Sequence, residues 1–123
     1  MASKRTPKHD TWMPLYVADY LADTPHLNTE QHGAYFLLLM AAWKAGGKLS
    51  SDRRTLRQIT RMTARQWARA EPVLADFFFV TENFWIHNRV RRELEKAKEY
   101  VEKKSSAGRA AAAQRWSLDR EDT

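Results

Sequence analysis

Six arginines, Arg53, Arg54, Arg57, Arg61, Arg65 and Arg69, and no acidic residue fall between Arg53 and Ala70, with Leu56, Ile59, Trp67 and Ala70 threaded among them at helical spacing. A segment patterned this way folds as helix and can bury only one face. Its local charge of +6 equals the net charge of the whole 123-residue chain, so the remaining residues sum to zero. Arginines 53, 57, 61, 65 and 69 are each four apart, and like charges at that spacing repel along a helix, which argues for an anionic partner.

One long helix and two helices with a turn between them both fit this spacing. The pair is preferred. Asp52 can cap a first helix that buries Leu56 and Ile59, while Thr60 and Thr63 flank Met62 with capping chemistry. Thr63 then opens a second helix with Trp67, Ala70, Val73 and Leu74 inward and Arg65, Gln66 and Arg69 outward. A turn of three or four residues between two helices is what a helix-turn-helix requires. Pro72 inside the second helix removes a backbone hydrogen bond, at about 3 kcal/mol, and predicts a kink or local rebuilding there.

Phe77, Phe78, Phe79, Val80 and Thr81, then Phe84, Trp85, Ile86 and His87, read as two strands around the turn Glu82-Asn83. A two-residue loop pairs Val80 with Trp85 on one face and Phe79 with Ile86 on the other, the latter pair able to point to the core. Upstream, Asn28 with Gln31, or Thr29 alone, can cap a helix carrying Tyr35, Leu38, Leu39, Ala42 and Trp43, which Gly46 and Gly47 close. Its wide apolar surface places it at the centre of the fold. Lys48, Leu49 and Ser50 suit a very short strand. Before these, Pro14 stands at the start of a short helix through Leu21, and Pro25 ends it.

The order helix, short strand, helix, helix, hairpin is that of a winged helix. The expected fold is therefore mainly α with a small β-hairpin, a winged helix-turn-helix over residues 13–88. Residues 1–12 form a flexible basic arm with Lys4, Arg5 and Lys8. An added C-terminal helix over residues 89–104 carries the stripe Val90, Leu94, Ala97 and Val101, flanked by Glu and Lys at helical spacing. Residues 105–123 form a tail of abruptly different composition. Within it Arg109, Arg115 and Trp116 are candidate partner-binding residues, because arginine and aromatic anchors dominate interfaces.

Composition narrows the functional classes. With 43% hydrophobic residues, 11% aromatic and five tryptophans, a packed core is available within a single domain. The absence of cysteine excludes a disulfide framework and thiolate metal sites. No apolar run reaches the ~18 residues of a membrane span and no signal-peptide core opens the chain, so a soluble, cytoplasmic protein is expected. His9, His26, His32 and His87 are scattered without ligand spacing, and no phosphate loop or nucleophile signature occurs. Asp19 and Asp23, four apart, suit a solvated face or cap better than a cation site. Catalysis, cofactors and metals are not expected.

The expected partner is duplex DNA, with Arg65, Gln66 and Arg69 facing the groove and Arg53, Arg54, Arg57 and Arg61 holding phosphates, since arginine reads guanine and glutamine adenine. One feature opposes this. The hairpin tip is Glu82-Asn83, with Trp85 the nearest aromatic, and phosphate repels an acidic tip. A protein–protein adaptor, or a transcriptional regulator, is the alternative.

Pro14-Leu15-Tyr16, Asp19-Tyr20, Asp23-Thr24, Leu27 with Glu30, Gly33-Ala34-Tyr35, Leu38, Trp43, Asn88-Arg89, and Gly108-Arg109-Ala110-Ala111 through Arg115-Trp116 resemble the YdaU-like family of prophage proteins, over about residues 13–116. The resemblance implies a winged-helix module of a phage replication region, similar to the N-terminal domains of replication initiators. Such a module would bind DNA and help bring a replicative helicase or its loader. It assigns no binding residues. Gly33 on the core helix is expected to permit close packing, and the 108–116 match to serve a partner contact.

Overall fold

Asn28 opens the central helix of the molecule. In the computed structural model, which describes the backbone of residues 12–121 and the side chains of residues 12–104, its Oδ1 accepts from the Gln31 backbone N–H at 2.8 Å. The Gln31 side chain in return accepts from the Asn28 N–H at 2.9 Å. This reciprocal cap satisfies two of the four free donors at the start of the helix. The helix, α2 (Thr29–Lys44), follows the short α1 (Val17–Asp23). At its far end Gly46 and Gly47 adopt φ of 84° and 97°, and Gly47 returns its N–H to Ala42 O at 2.7 Å. Leu38 and Ala42 have no exposed surface, and Ala34, Tyr35, Leu39 and Trp43 are buried around them.

The chain continues through β1 (Lys48–Ser50), α3 (Arg53–Thr60), α4 (Ala64–Ala75), β2 (Phe79–Val80), β3 (Phe84–Ile86) and α5 (Asn88–Glu121). The architecture is mainly helical, with a three-stranded antiparallel sheet in the order β1-β3-β2. Phe79 pairs with Ile86 and Val80 with Trp85, the register expected from the two-residue turn. β1 lies on the other side of β3, with Leu49 opposite Trp85. Both of these are buried, and Trp85 meets Trp67 of α4 at 5.6 Å between ring centroids.

That pairing corrects the expected facing of the hairpin. Because strand side chains alternate with period two, burying Leu49 and Trp85 turns the neighbouring positions outward. Phe79 is 61% exposed and Ile86 only half-buried. Phe78, just outside the strand, supplies the buried ring instead, 5.2 Å from Trp85.

Other boundaries also move. Pro14 lies outside α1, which is capped at Tyr16. The entry to α1 is tethered to α5, where the Tyr16 hydroxyl donates to Glu93 at 3.2 Å and the Arg89 guanidinium lies 4.8 Å over the Tyr16 ring. Pro72 is accommodated inside α4. α5 is a single 34-residue helix, so the backbone shows no division between a helix over residues 89–104 and a separate tail. Docking of its first turns supplies the costly nucleus, from which the alanine-rich stretch 110–113 propagates. Val90 is buried, Leu94 and Ala97 are half-buried, and Tyr100 and Val101 are exposed, so α5 leaves the body after about three turns. Among the described residues no helix is long and apolar enough to cross a membrane.

Candidate nucleic-acid interface

The arginine series is divided by its own capping chemistry. Asp52 Oδ2 accepts from the Thr55 N–H at 3.3 Å and from its hydroxyl at 3.0 Å, opening α3. Thr60 folds its hydroxyl back onto Leu56 O at 2.9 Å, and Arg61 then turns into the left-handed region at φ 61°. The N–H groups of Arg61 and Met62 both return to Arg57 O, which ends the helix. Met62 is buried in the turn, and Thr63 caps α4 by accepting from the Gln66 N–H at 3.1 Å. The connection is thus a tight turn between two helices.

The divided helices place the six candidate arginines in three settings. Arg53 is paired: its Nε lies 3.3 Å from Glu71 Oε2 on α4, an acid just beyond the run. Arg57 is half-buried and donates from Nε to Met62 O at 3.5 Å, so it braces the turn. Arg54, Arg61, Arg65 and Arg69 are exposed, and among the described residues no ion pair or side-chain hydrogen bond holds them.

Gln66 belongs to the cap. Its Oε1 accepts from the Thr63 N–H at 2.9 Å and its Nε2 points to Glu30 Oε2 of α2 at 3.5 Å, so its amide is occupied at both ends. The side chain expected from sequence to face the groove is therefore turned to the cap and to α2. Within S/T-x-x-Q the third residue's amide serves the preceding backbone, and that pattern was already visible in the sequence. Glu30 and Glu71 were not, because their partners lie on other helices.

What α4 presents outward is Ala64, Arg65, Ala68, Arg69 and Pro72. At 3.6 residues per turn these share an arc of about 140°. The helix's single acid, Glu71, is half-buried and held by Arg53.

The hairpin is fastened beside α3. Ser51 donates its N–H to Asn83 O at 3.0 Å and its hydroxyl to Glu82 O at 2.7 Å, tying the turn to the segment that leads into α3. Trp85 is buried in the core and is no part of the tip. Lys48 supplies positive charge there instead, with Nζ 4.3 Å from the Phe84 ring centroid.

A cleft of about 670 Å³ opens elsewhere, lined by Tyr20, Tyr35, Phe77, His87, Arg89 and Arg92 among others. Asp19 of α1 binds Arg89 at 2.8 Å, so this carboxylate serves the docking of α1 to α5. No group of three or more His, Cys, Asp or Glu that could hold a metal occurs among the described residues. Arg109, Arg115 and Trp116 fall outside the residues whose side chains are described.

A family model described as a protein of unknown function (DUF1376) matches residues 11–95, which takes in the sheet, α3 and α4. The chain is 42% identical over 111 residues to the uncharacterized protein YdaU of Escherichia coli (strain K12), a match covering 90% of this chain and 38% of that one. The chain therefore spans well under half the length of this relative. No solved structure matches.

Proposed function

The chain belongs to the DUF1376 family of proteins of unknown function, and we propose that it binds duplex DNA as a winged helix-turn-helix protein. α4 enters the major groove, the exposed arginines Arg54 and Arg61 meet phosphates, and the hairpin is the wing. The observation that carries this reading is the outward face of α4. Arg65 and Arg69 stand there unpaired beside alanines, behind a capped turn. Solvated helix faces usually mix both signs of charge, whereas a face that must approach phosphate and base edges keeps its cations free and its other side chains short.

The biological setting we propose is a phage or prophage replication module, in which DNA binding helps bring a helicase or its loader. That setting is what the sequence resemblance to YdaU-like prophage proteins implies; the matched relative is itself uncharacterized. An adaptor role is favoured by a different observation, the exposed Tyr100 and Val101 where α5 leaves the body. Both roles fit one molecule, because they use different elements.

The test is fluorescence anisotropy against labelled duplexes at about 50 and about 200 mM salt, with the Arg65→Ala/Arg69→Ala double variant alongside. Arg54 and Arg61 on phosphates predict a log-log salt slope of roughly −2, and the double variant, still folded by circular dichroism, should lose affinity while keeping most of that slope. Absence of duplex binding at the lower salt overturns the DNA reading and leaves the adaptor role.

A further inference from the structure

Every exposed position on α4 is alanine, arginine or proline, and the other hydrogen-bonding side chains on that helix are either engaged or buried. Gln66 is held between the Thr63 N–H and Glu30. Glu71 is held by Arg53. The Trp67 indole is buried. Once the helix lies in a major groove, only Arg65 and Arg69 can reach base edges with polar atoms.

Those two guanidinium groups decide what the helix can read. Guanine presents N7 and O6 as two acceptors in the major groove, a match for the two parallel N–H donors of arginine. Adenine offers one acceptor beside a donor, and cytosine a donor, so neither satisfies an arginine fork. The residues that would read adenine or cytosine, a free amide or a free carboxylate, are the two that the fold has tied up. Ala64 and Ala68 have only methyl groups, which lets the helix backbone settle close to the bases. Residues four apart on a helix are separated by about 6 Å along its axis, close to two base-pair steps of about 3.4 Å.

We propose that α4 is a guanine reader, with Arg65 and Arg69 each taking the N7/O6 edge of a guanine about two base-pair steps apart in the major groove. The inference rests on the DNA-binding reading above and names its substrate class. Arg54 and Arg61, outside α4, supply affinity without selectivity.

The experiment compares three labelled duplexes of equal length in the full chain at about 150 mM salt. One is alternating dG·dC, the second is the same with 7-deazaguanine, which lacks N7 and keeps every phosphate, and the third is alternating dA·dT. The dG·dC duplex should bind at least about tenfold more tightly than either of the others. The Arg65→Lys/Arg69→Lys variant, which keeps both charges and loses both forks, should bind all three alike. Equal affinity of the unaltered chain for all three, with steep salt dependence retained, overturns the guanine inference and leaves the DNA-binding reading standing. No binding to any duplex even at about 50 mM salt overturns both.

Discussion

Tyr35 of α2 and His87, the residue between β3 and α5, are joined by a 2.9 Å hydrogen bond between buried rings 52 positions apart in sequence. The Val90 backbone N–H donates to His87 Nδ1 at 3.2 Å, so the neutral imidazole carries its proton on Nε2 and donates it to the Tyr35 oxygen. One side chain thereby caps α5 and anchors it to the central helix. Burial, with Arg89 and Arg92 adding to it, pushes the His87 pKa down to about 4 from an ordinary value of 6.5.

This arrangement predicts an acid-sensitive fold. The unfolded chain takes up a proton on His87 near pH 6.5 and the folded one does not until about pH 4. Stability is therefore full above pH 6.5 and falls as pH drops towards 4, by up to about 3 kcal/mol. Urea unfolding at pH 7, 6 and 5 should show the loss before most carboxylates titrate. His87→Asn, which keeps a cap acceptor for Val90, should flatten that slope.

Tyr35→Phe removes the acceptor for His87 Nε2–H while leaving the ring packed on Phe77 at 4.4 Å. A buried donor without a partner costs about 1–3 kcal/mol. The midpoint of urea unfolding at pH 7 should fall accordingly, with no change in the slope of the transition.

Two glycines, one near each end of α2, should respond in opposite directions. A Cβ on Gly47, whose φ is 97°, would run into the Arg91 side chain and come within 3.2 Å of its Cα. Gly47→Ala should destabilise by roughly 1–3 kcal/mol. Gly33, expected from sequence to permit close packing, has nothing within 4 Å of the same position and is exposed. Gly33→Ala should stabilise by about 0.5–1 kcal/mol, and thermal unfolding of the pair decides.

Arg61 gives a variant that separates binding from folding. Its left-handed backbone at φ 61° suits glycine better than any other residue, and its guanidinium has no partner among the described residues. Arg61→Gly should hold or raise stability by up to about 1 kcal/mol and lower the salt slope of DNA binding by about 1. Unchanged salt dependence removes Arg61 from the interface.

Gln66→Ala should act in the reverse way. Loss of the reciprocal cap with Thr63 costs about 0.5–1 kcal/mol, read as a drop in melting temperature. Duplex affinity per folded molecule should stay the same, because the amide faces Thr63 and Glu30. A change in base preference would return Gln66 to the groove.

Sequence by itself determined what is local in this protein. Asn28 with Gln31, Asp52 and Thr63 name their caps within three residues, the glycine pair 46–47 ends α2, and a two-residue turn fixes the register of Val80 on Trp85. These interactions close over short stretches of chain, so residue type and spacing suffice to read them. Tertiary structure decided the rest. Leu49, brought opposite Trp85, chose which hairpin face is buried and left Phe79 in solvent. Glu71 and Glu30, contributed by other helices, took Arg53 and Gln66 out of the free set and left Arg65 and Arg69 alone on the face of α4. A side chain's availability depends on neighbours tens of residues away, and helical periodicity carries no information about them.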